Sequence, residues 1–105
     1  MRRVYPVVKL DGRYSGVTIF AHFVNFDVAF DKINQEWISA DDRNDDFVKQ
    51  RNWAWSIWGP GTELDKFSRD SDLVANEWAW RRDQHVLRLY LRGSAELILH
   101  KLVWT

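Results

Sequence analysis

The sequence predicts an α+β fold, in which an antiparallel sheet of four to six strands carries one main helix packed on a face. Three features favour this class: β-prone runs bounded by turn residues near both ends, a central stretch whose aromatic residues recur at helical spacing, and a hydrophobic content of 46%. A chain of 105 residues suits a single domain over residues 1–105.

The first predicted element is a hairpin. Residues 4–10 and 17–24 are β-prone runs, and the Asp-Gly-Arg-Tyr-Ser-Gly segment between them has glycines that tolerate a tight reversal. Asn25 then serves as a candidate N-cap, and the spacing of the apolar residues that follow predicts the main helix over residues 26–38. A period of two from Phe20 to Phe30 leaves a continued strand as the alternative.

The middle of the chain contains a charged segment and then an alternating one. Polar residues 39–46 predict a loop or the first turn of a short helix through Gln50. Residues 53–58 place two tryptophans and an isoleucine on one face of a strand, which Gly-Pro-Gly ends. Residues 62–69 predict one or two helical turns that pack Leu64 and Phe67.

The last third predicts a terminal hairpin. In residues 85–92 leucines alternate with arginine and tyrosine, and Gly-Ser-Ala separates this run from a second strand over residues 96–104. Trp-Ala-Trp occurs at 53–55 and again at 78–80, which predicts two paired strands with their indoles in one core layer. The predicted core comprises Phe23, Phe30, Ile33, Trp53, Trp55, Trp78, Leu87, Leu89, Leu91 and Leu99.

Charge and cysteine content narrow the function classes. The 15 basic and 15 acidic residues cancel, although residues 1–16 have a net charge of +3, residues 25–46 of −5 and residues 77–101 of +2. A zero total disfavours dedicated duplex nucleic-acid binding. The absence of cysteine excludes disulfides and thiolate metal sites. With no apolar signal-peptide core or membrane-length run either, we expect a cytoplasmic location.

The sequence contains no recognisable catalytic or metal motif. Asp42, Asn44 and Asp46 fit the first, third and fifth positions of a calcium loop, but phenylalanine replaces the turn glycine at the sixth position and tryptophan the glutamate at the twelfth. The three histidines have no ligand spacing, and His85 and His100, on adjacent predicted strands, are expected to form at most a cross-strand polar pair. We therefore expect no catalytic residues, no metal and no cofactor.

Seven tryptophans favour a binding function, because tryptophan and arginine dominate binding hot spots. We expect a non-enzymatic inhibitor or adaptor that recognises another protein, with possible homodimerisation and no membrane contact. The predicted partner-binding residues are Trp58, Trp80, Arg81, Arg82, Asp41, Asp42, Asp45 and Asp46. Single-stranded nucleic acid, with bases stacked on indoles, is the runner-up, and its predicted contacts are Arg81, Arg82, Arg88 and Arg92. A sugar ligand and a small enzyme with unlocalised carboxylate or histidine chemistry rank lower.

Overall fold

The computed structural model describes residues 3–10, 19–65, 68, 76–83 and 86–105. Within these ranges the elements in chain order are β1 (Val7–Lys9), β2 (His22–Asn25), β3 (Phe30–Asp31), β4 (Glu36–Trp37), α1 (Ala40–Trp58), β5 (Thr62–Glu63), β6 (Trp78–Asp83), β7 (Val86–Leu91) and α2 (Ser94–Trp104). A sheet with a main helix against it confirms the predicted α+β class.

The described strands form a five-stranded sheet in the order β1-β2-β7-β6-β5, and β3 and β4 form a separate two-stranded ribbon. The first predicted hairpin is confirmed in its strands, because β1 pairs antiparallel with β2, while its turn lies outside the described residues. The other pairings are antiparallel except that β5 joins β6 in parallel. The sheet is therefore mixed, which corrects the prediction of a wholly antiparallel one.

The main helix is α1, so the strand predicted over residues 53–58 is wrong. The Ser39 side chain accepts a hydrogen bond from the Asp42 N–H at 3.1 Å and caps the helix, and acidic residues in the first turn complement its dipole. The helix ends at Gly59, whose φ of 80° suits glycine and whose N–H donates to the Trp55 carbonyl at 2.9 Å.

The buried positions of α1 recur at helical spacing. Phe47, Gln50 and Ala54 are buried and lie three and four residues apart, which puts them on one face toward the sheet. Trp55 is 47% exposed, so its prediction as a core residue is wrong. A helix satisfies its own backbone hydrogen bonds, so α1 can bury the face of Phe47, Gln50 and Ala54 without pairing to a strand. The alternation of the tryptophans did not indicate this buried face.

The two Trp-Ala-Trp segments do not pair as strands, which corrects that prediction. Residues 78–80 begin β6, whereas residues 53–55 lie in α1. Trp78 is fully buried, and its indole N–H donates to the Gly59 carbonyl at 2.9 Å. Trp55 approaches it edge-on from the helix, with ring centroids 6.2 Å apart. The two segments therefore meet through a helix-to-sheet contact.

The last element is a helix, so the second strand predicted over residues 96–104 is wrong, although β7 matches the strand predicted before it. The Glu96 carboxylate accepts a hydrogen bond from the Gly93 N–H at 3.0 Å, which completes half of a capping box at the start of α2. Positions three and four residues apart turn inward, namely Leu97, His100 and Trp104.

The helix predicted over residues 26–38 is also wrong, because this stretch forms the β3–β4 ribbon. The Asn25 side chain caps no helix and instead accepts from the Asp27 N–H at 3.0 Å, as in an Asx turn. The ribbon turn includes Gln35 with a φ of 57°. Ile33, a predicted core residue, is 70% exposed on this turn.

Apolar clusters cover both faces of the sheet. Successive residues of β6 and β7 point to opposite faces, so Trp78 and Leu89 pack toward the helices while Ala79 and Tyr90 pack away from them. Of the predicted core, Phe23, Trp78, Leu89 and Leu91 are buried, and Phe30, Trp53, Leu87 and Leu99 are partly buried. In the segment predicted to form helical turns, residues 62 and 63 form β5, Leu64 is buried and Phe67 lies outside the described residues.

Candidate functional site

An exposed apolar surface lies on the β3–β4 ribbon. Trp37 is 81% exposed and Ile33 is 70% exposed. Phe30 is paired with Trp37 across the ribbon, and their ring centroids are 5.1 Å apart. We call these three side chains, Phe30, Ile33 and Trp37, the ribbon patch. Large apolar side chains grouped on a surface are typical of interaction sites.

A cavity of about 510 Å³ opens beside the ribbon patch, and we call it the ribbon cavity. One wall is the segment 4–6, which leads into β1, and the other is residues 28–30, 32 and 33. The walls are mainly aliphatic or aromatic, and Lys32 contributes a positive charge. Its volume is within the range of natural ligand pockets, and it can accept a bulky apolar side chain from a partner.

Asp31 holds the two walls of the ribbon cavity together. Its buried carboxylate accepts from the Val4 N–H at 3.1 Å, from the Ile33 and Asn34 N–H groups, and from the Asn34 side-chain amide at 2.8 Å. Burial alone would raise the pKa of Asp31, but these hydrogen bonds outweigh it and hold that pKa below its usual range. An ionised anchor therefore fixes the ribbon against the N-terminal segment.

A second anchor joins the N-terminal segment to α1. The Asp46 carboxylate accepts from the Arg3 Nε at 2.5 Å, from the Arg3 Nη2 at 3.0 Å and from the Tyr5 hydroxyl at 2.6 Å. Burial would raise the pKa of Asp46, but the bonds from Arg3 and Tyr5 lower it overall. The Tyr5 ring packs on Phe26 with centroids 4.6 Å apart. The cavity wall is thus held at Val4 by Asp31 and at Tyr5 by Asp46.

The predicted acidic residues lie in the first two turns of α1, but they do not form one free patch. Asp41 and Asp45 are exposed. Asp46 binds Arg3, and Asp42 lies 3.7 Å from an Arg3 nitrogen. Part of the predicted acidic surface is therefore neutralised within the chain.

The predicted tryptophan contacts, Trp58 and Trp80, are partly buried. Trp80 stacks on Trp78 with centroids 5.3 Å apart, and the Arg51 guanidinium lies 5.7 Å from the Trp80 ring centre. Trp58 packs edge-on against Trp53 at 5.1 Å. The structure uses both indoles in internal packing, so they offer less surface to a partner than Trp37 does.

The four predicted nucleic-acid contacts are divided between the faces of the sheet. Arg81 is the cross-strand partner of Arg88, and it also binds the Asp83 carboxylate at 3.0 Å. Arg88 covers the ring of Phe23, which is buried, at 4.3 Å. The Arg92 Nη1 donates to the Asn76 carbonyl at 3.3 Å.

Arg82 points to the other face of β6, as strand alternation requires. There it lines a polar cavity of about 200 Å³ together with Asp27, Arg43, Asn44 and Asp83. The structure thus brings Arg82 close to the first turns of α1, and Arg82 does not line the ribbon cavity. The cavity mixes both signs of charge and defines no ligand class.

The two described histidines are partly or fully buried. The His100 Nε2 and the Gln50 Oε1 are 2.5 Å apart, and burial, assisted by the charge of Lys101, lowers the pKa of His100 to about 4. His22 also has a lowered pKa, first through burial and then through Lys9 and Lys101. The expected pair of His100 with His85 on adjacent strands is wrong for His100, which lies in α2, and His85 lies outside the described residues.

Trp37, Ile33 and the ribbon cavity are absent from the predicted sites. The helix predicted over residues 26–38 would have placed both residues on its apolar face. The alternative of a continued strand, carried beyond Phe30 to a turn at residues 32–35, would have placed Trp37 opposite Phe30. The aromatic pair that this turn predicts, Phe30 with Trp37, was the signal in the sequence that could have indicated the ribbon patch.

Within the described ranges, no group of three or more metal-binding side chains comes together, and no helix is long and apolar enough to cross a membrane. Comparison of the chain with models of known families finds no match, and comparisons with curated proteins and with solved structures find none either.

Proposed function

We propose that this protein is a small non-enzymatic binding module, of the inhibitor or adaptor type, that recognises another protein through the ribbon patch and the ribbon cavity. The observation that carries the proposal is an 81% exposed Trp37 beside an apolar cavity of about 510 Å³. A rigid indole next to a pocket is typical of a hot spot, because each partner can bury an anchor in the other. Cytoplasmic action stays a prediction.

Rigidity of the ribbon supports this proposal. The Asp31 and Asp46 anchors hold residues 3–5 and 30–34 in place before any partner arrives. A preformed site loses less conformational entropy on binding than a flexible loop does. The exposed apolar area can then contribute to affinity.

Stacking of single-stranded nucleic acid has weaker support. Arg81 and Arg88 share a sheet face with Phe23 and Tyr90, but both aromatic rings are buried and offer no area for a base. Trp37, the most exposed indole described, belongs to the separate ribbon. Nor does His100 support acid–base catalysis, since its described partner is Gln50 rather than a carboxylate.

The test compares capture of partners by the wild-type chain and by Trp37→Ala and Ile33→Ser, with native lysate and quantitative mass spectrometry. Removing a hot-spot tryptophan costs about 2 kcal/mol or more of binding free energy, and about 2 kcal/mol corresponds to roughly 30-fold weaker binding. Leu102→Ser is the matched control, because Leu102 is 77% exposed but lies on α2.

We expect a partner that wild-type and Leu102→Ser capture equally and that both ribbon variants lose. A photo-cross-linking residue at position 37 should join this partner directly, and the same residue at position 102 should not. Equal capture by all the variants would contradict the proposal, since the ribbon patch would then be dispensable.

A further inference from the structure

The strand β1 forms an edge of the five-stranded sheet described. The two residues that flank β1 bond toward the β2 side: the Pro6 carbonyl accepts from the Asn25 N–H at 2.9 Å, and the Leu10 N–H donates to the Ala21 carbonyl at 2.8 Å. Along an antiparallel strand, the backbone N–H and C=O groups of every second residue point toward the neighbouring strand and those of the residues between point away from it. The N–H and C=O groups of Val7 and Lys9 therefore face away from β2. Within the described ranges no strand pairs with that side. An extended peptide can therefore add there through backbone hydrogen bonds.

The edge of β1 leads directly to the ribbon cavity. Residues 4–6, which form one cavity wall, continue the path of β1 toward the N-terminus. A strand advances about 3.3 Å per residue, so about six residues cover the distance from Lys9 to Val4. One added strand can thus pair with β1 and also deliver a side chain to the cavity.

The charge beside this edge is positive. Lys9 is exposed on β1 and Lys32 lines the cavity. Lys101 of α2 is near the same end of the sheet, since its charge and that of Lys9 both act on His22. The carboxylate of Asp31 is buried and engaged in hydrogen bonds. Acidic side chains on an added strand would meet complementary charge.

A second copy of this chain fits the edge less well. A two-fold axis at Val8 would pair Val7 of each copy with Lys9 of the other. The two Lys9 side chains would then lie on one face as diagonal neighbours, about 7–8 Å apart, and both Lys101 residues would face this pair. Like charges there oppose self-pairing, as lysine on an edge strand commonly does.

We propose that β1 is a docking edge for an extended acidic segment of another protein, which adds as a further strand and places one apolar side chain in the ribbon cavity. This inference rests on the proposed function and specifies the form of the partner. The ribbon patch then covers the outer side of the inserted side chain.

The probe is a fluorescein-labelled peptide of about ten residues in which glutamate alternates with valine and one central leucine serves as the anchor. Fluorescence anisotropy measures its binding to the full chain. Lys9→Pro removes an outward N–H without touching the pairing with β2, and proline is tolerated at such edge positions. Lys9→Ala is the matched control, because it removes the same charge and keeps the N–H.

We expect binding by the wild-type chain, a modest loss in Lys9→Ala, and a further loss of roughly tenfold in Lys9→Pro. Filling the cavity with Ala29→Phe should weaken binding to a similar degree. A probe N-methylated at alternate residues tests the same hydrogen bonds without altering the protein. That probe keeps the inference testable if Lys9→Pro fails to fold.

Three outcomes would overturn the inference: no binding of the acidic probe, equal binding of its lysine-substituted counterpart, or equal affinity of Lys9→Pro and Lys9→Ala. Light scattering that gives twice the 12.6 kDa chain mass, with loss of the dimer in Lys9→Pro, would assign the edge to a second copy instead. The proposed function fails separately, if Trp37→Ala retains the captured partner.

Discussion

Trp55 and Trp78 belong to the two Trp-Ala-Trp segments, but their surroundings differ enough to predict different energetic roles. Trp78 is fully buried, donates to the Gly59 carbonyl at 2.9 Å and stacks on Trp80. Trp55 is 47% exposed on α1. We therefore expect Trp78→Ala to destabilise the fold far more than Trp55→Ala.

The magnitudes follow from buried area. A tryptophan buries about 150–250 Å² when enclosed, which corresponds to about 4–6 kcal/mol at about 25 cal/mol per Å². Allowing for the alanine that remains, Trp78→Ala should lower the free energy of unfolding by about 3–5 kcal/mol. Roughly half of Trp55 is exposed to solvent in the folded chain, so Trp55→Ala should lower the free energy of unfolding by only about 1–2 kcal/mol. Trp37, at 81% exposed, should contribute close to nothing.

Urea and thermal unfolding followed by far-ultraviolet circular dichroism measure all three variants, because the backbone signal remains after an indole is removed. A loss of 1 kcal/mol lowers Tm by about 4–8 °C in a domain of this size, so Trp78→Ala should lose at least about 12 °C. If Trp55→Ala is as unstable as Trp78→Ala, then Trp55 is enclosed and its half-exposed position on α1 is refuted.

Two further predictions concern close packing and acid stability. In Gly61→Ala the added Cβ would lie 2.6 Å from two ring carbons of the buried Trp78, so we expect a loss of about 1–3 kcal/mol in urea unfolding, and a neutral effect would contradict this packing. The pKa of His100 is lowered to about 4 in the folded chain, whereas an unfolded histidine titrates near 6.5. Between pH 4 and about 6.5 the unfolded chain therefore binds more protons than the folded chain does. The free energy of unfolding should fall by up to about 3 kcal/mol as the pH drops through this window. His100→Gln should show a shallower decline, and an unchanged slope would show that His100 is not the group responsible.

The strands with a strict alternation could be predicted from the sequence. Leu87, Leu89 and Leu91 recur at every second residue, and they lie in β7 as the pattern indicated. Helix α1 could not be found in the same way, because its C-terminal residues fit a period of two as well as a helix. The spacing of Phe47, Gln50 and Ala54 was the competing signal, and tertiary burial of that face decided the outcome.

The terminal helix α2 was missed for a related reason. Residues 96–104 are mostly apolar, and a short run of this kind does not distinguish a strand from a buried helix by periodicity. The N-cap of α2 is Gly93, which has no side chain to signal a helix start, and the Glu96 carboxylate supplies the cap bond instead. Packing of His100 on Gln50 of α1 joins residues fifty positions apart, and no local pattern predicts such a contact.

The candidate site depends on a polar anchor, Asp31, which the helix predicted over residues 26–38 would have left without this role. Two-stranded ribbons with two residues in each strand are not stable alone in water. The buried Asp31 compensates by accepting hydrogen bonds from the ribbon turn and from Val4, so the ribbon needs little apolar burial of its own. Trp37 and Ile33 are therefore free to stay exposed, and their apolar area remains available for a partner.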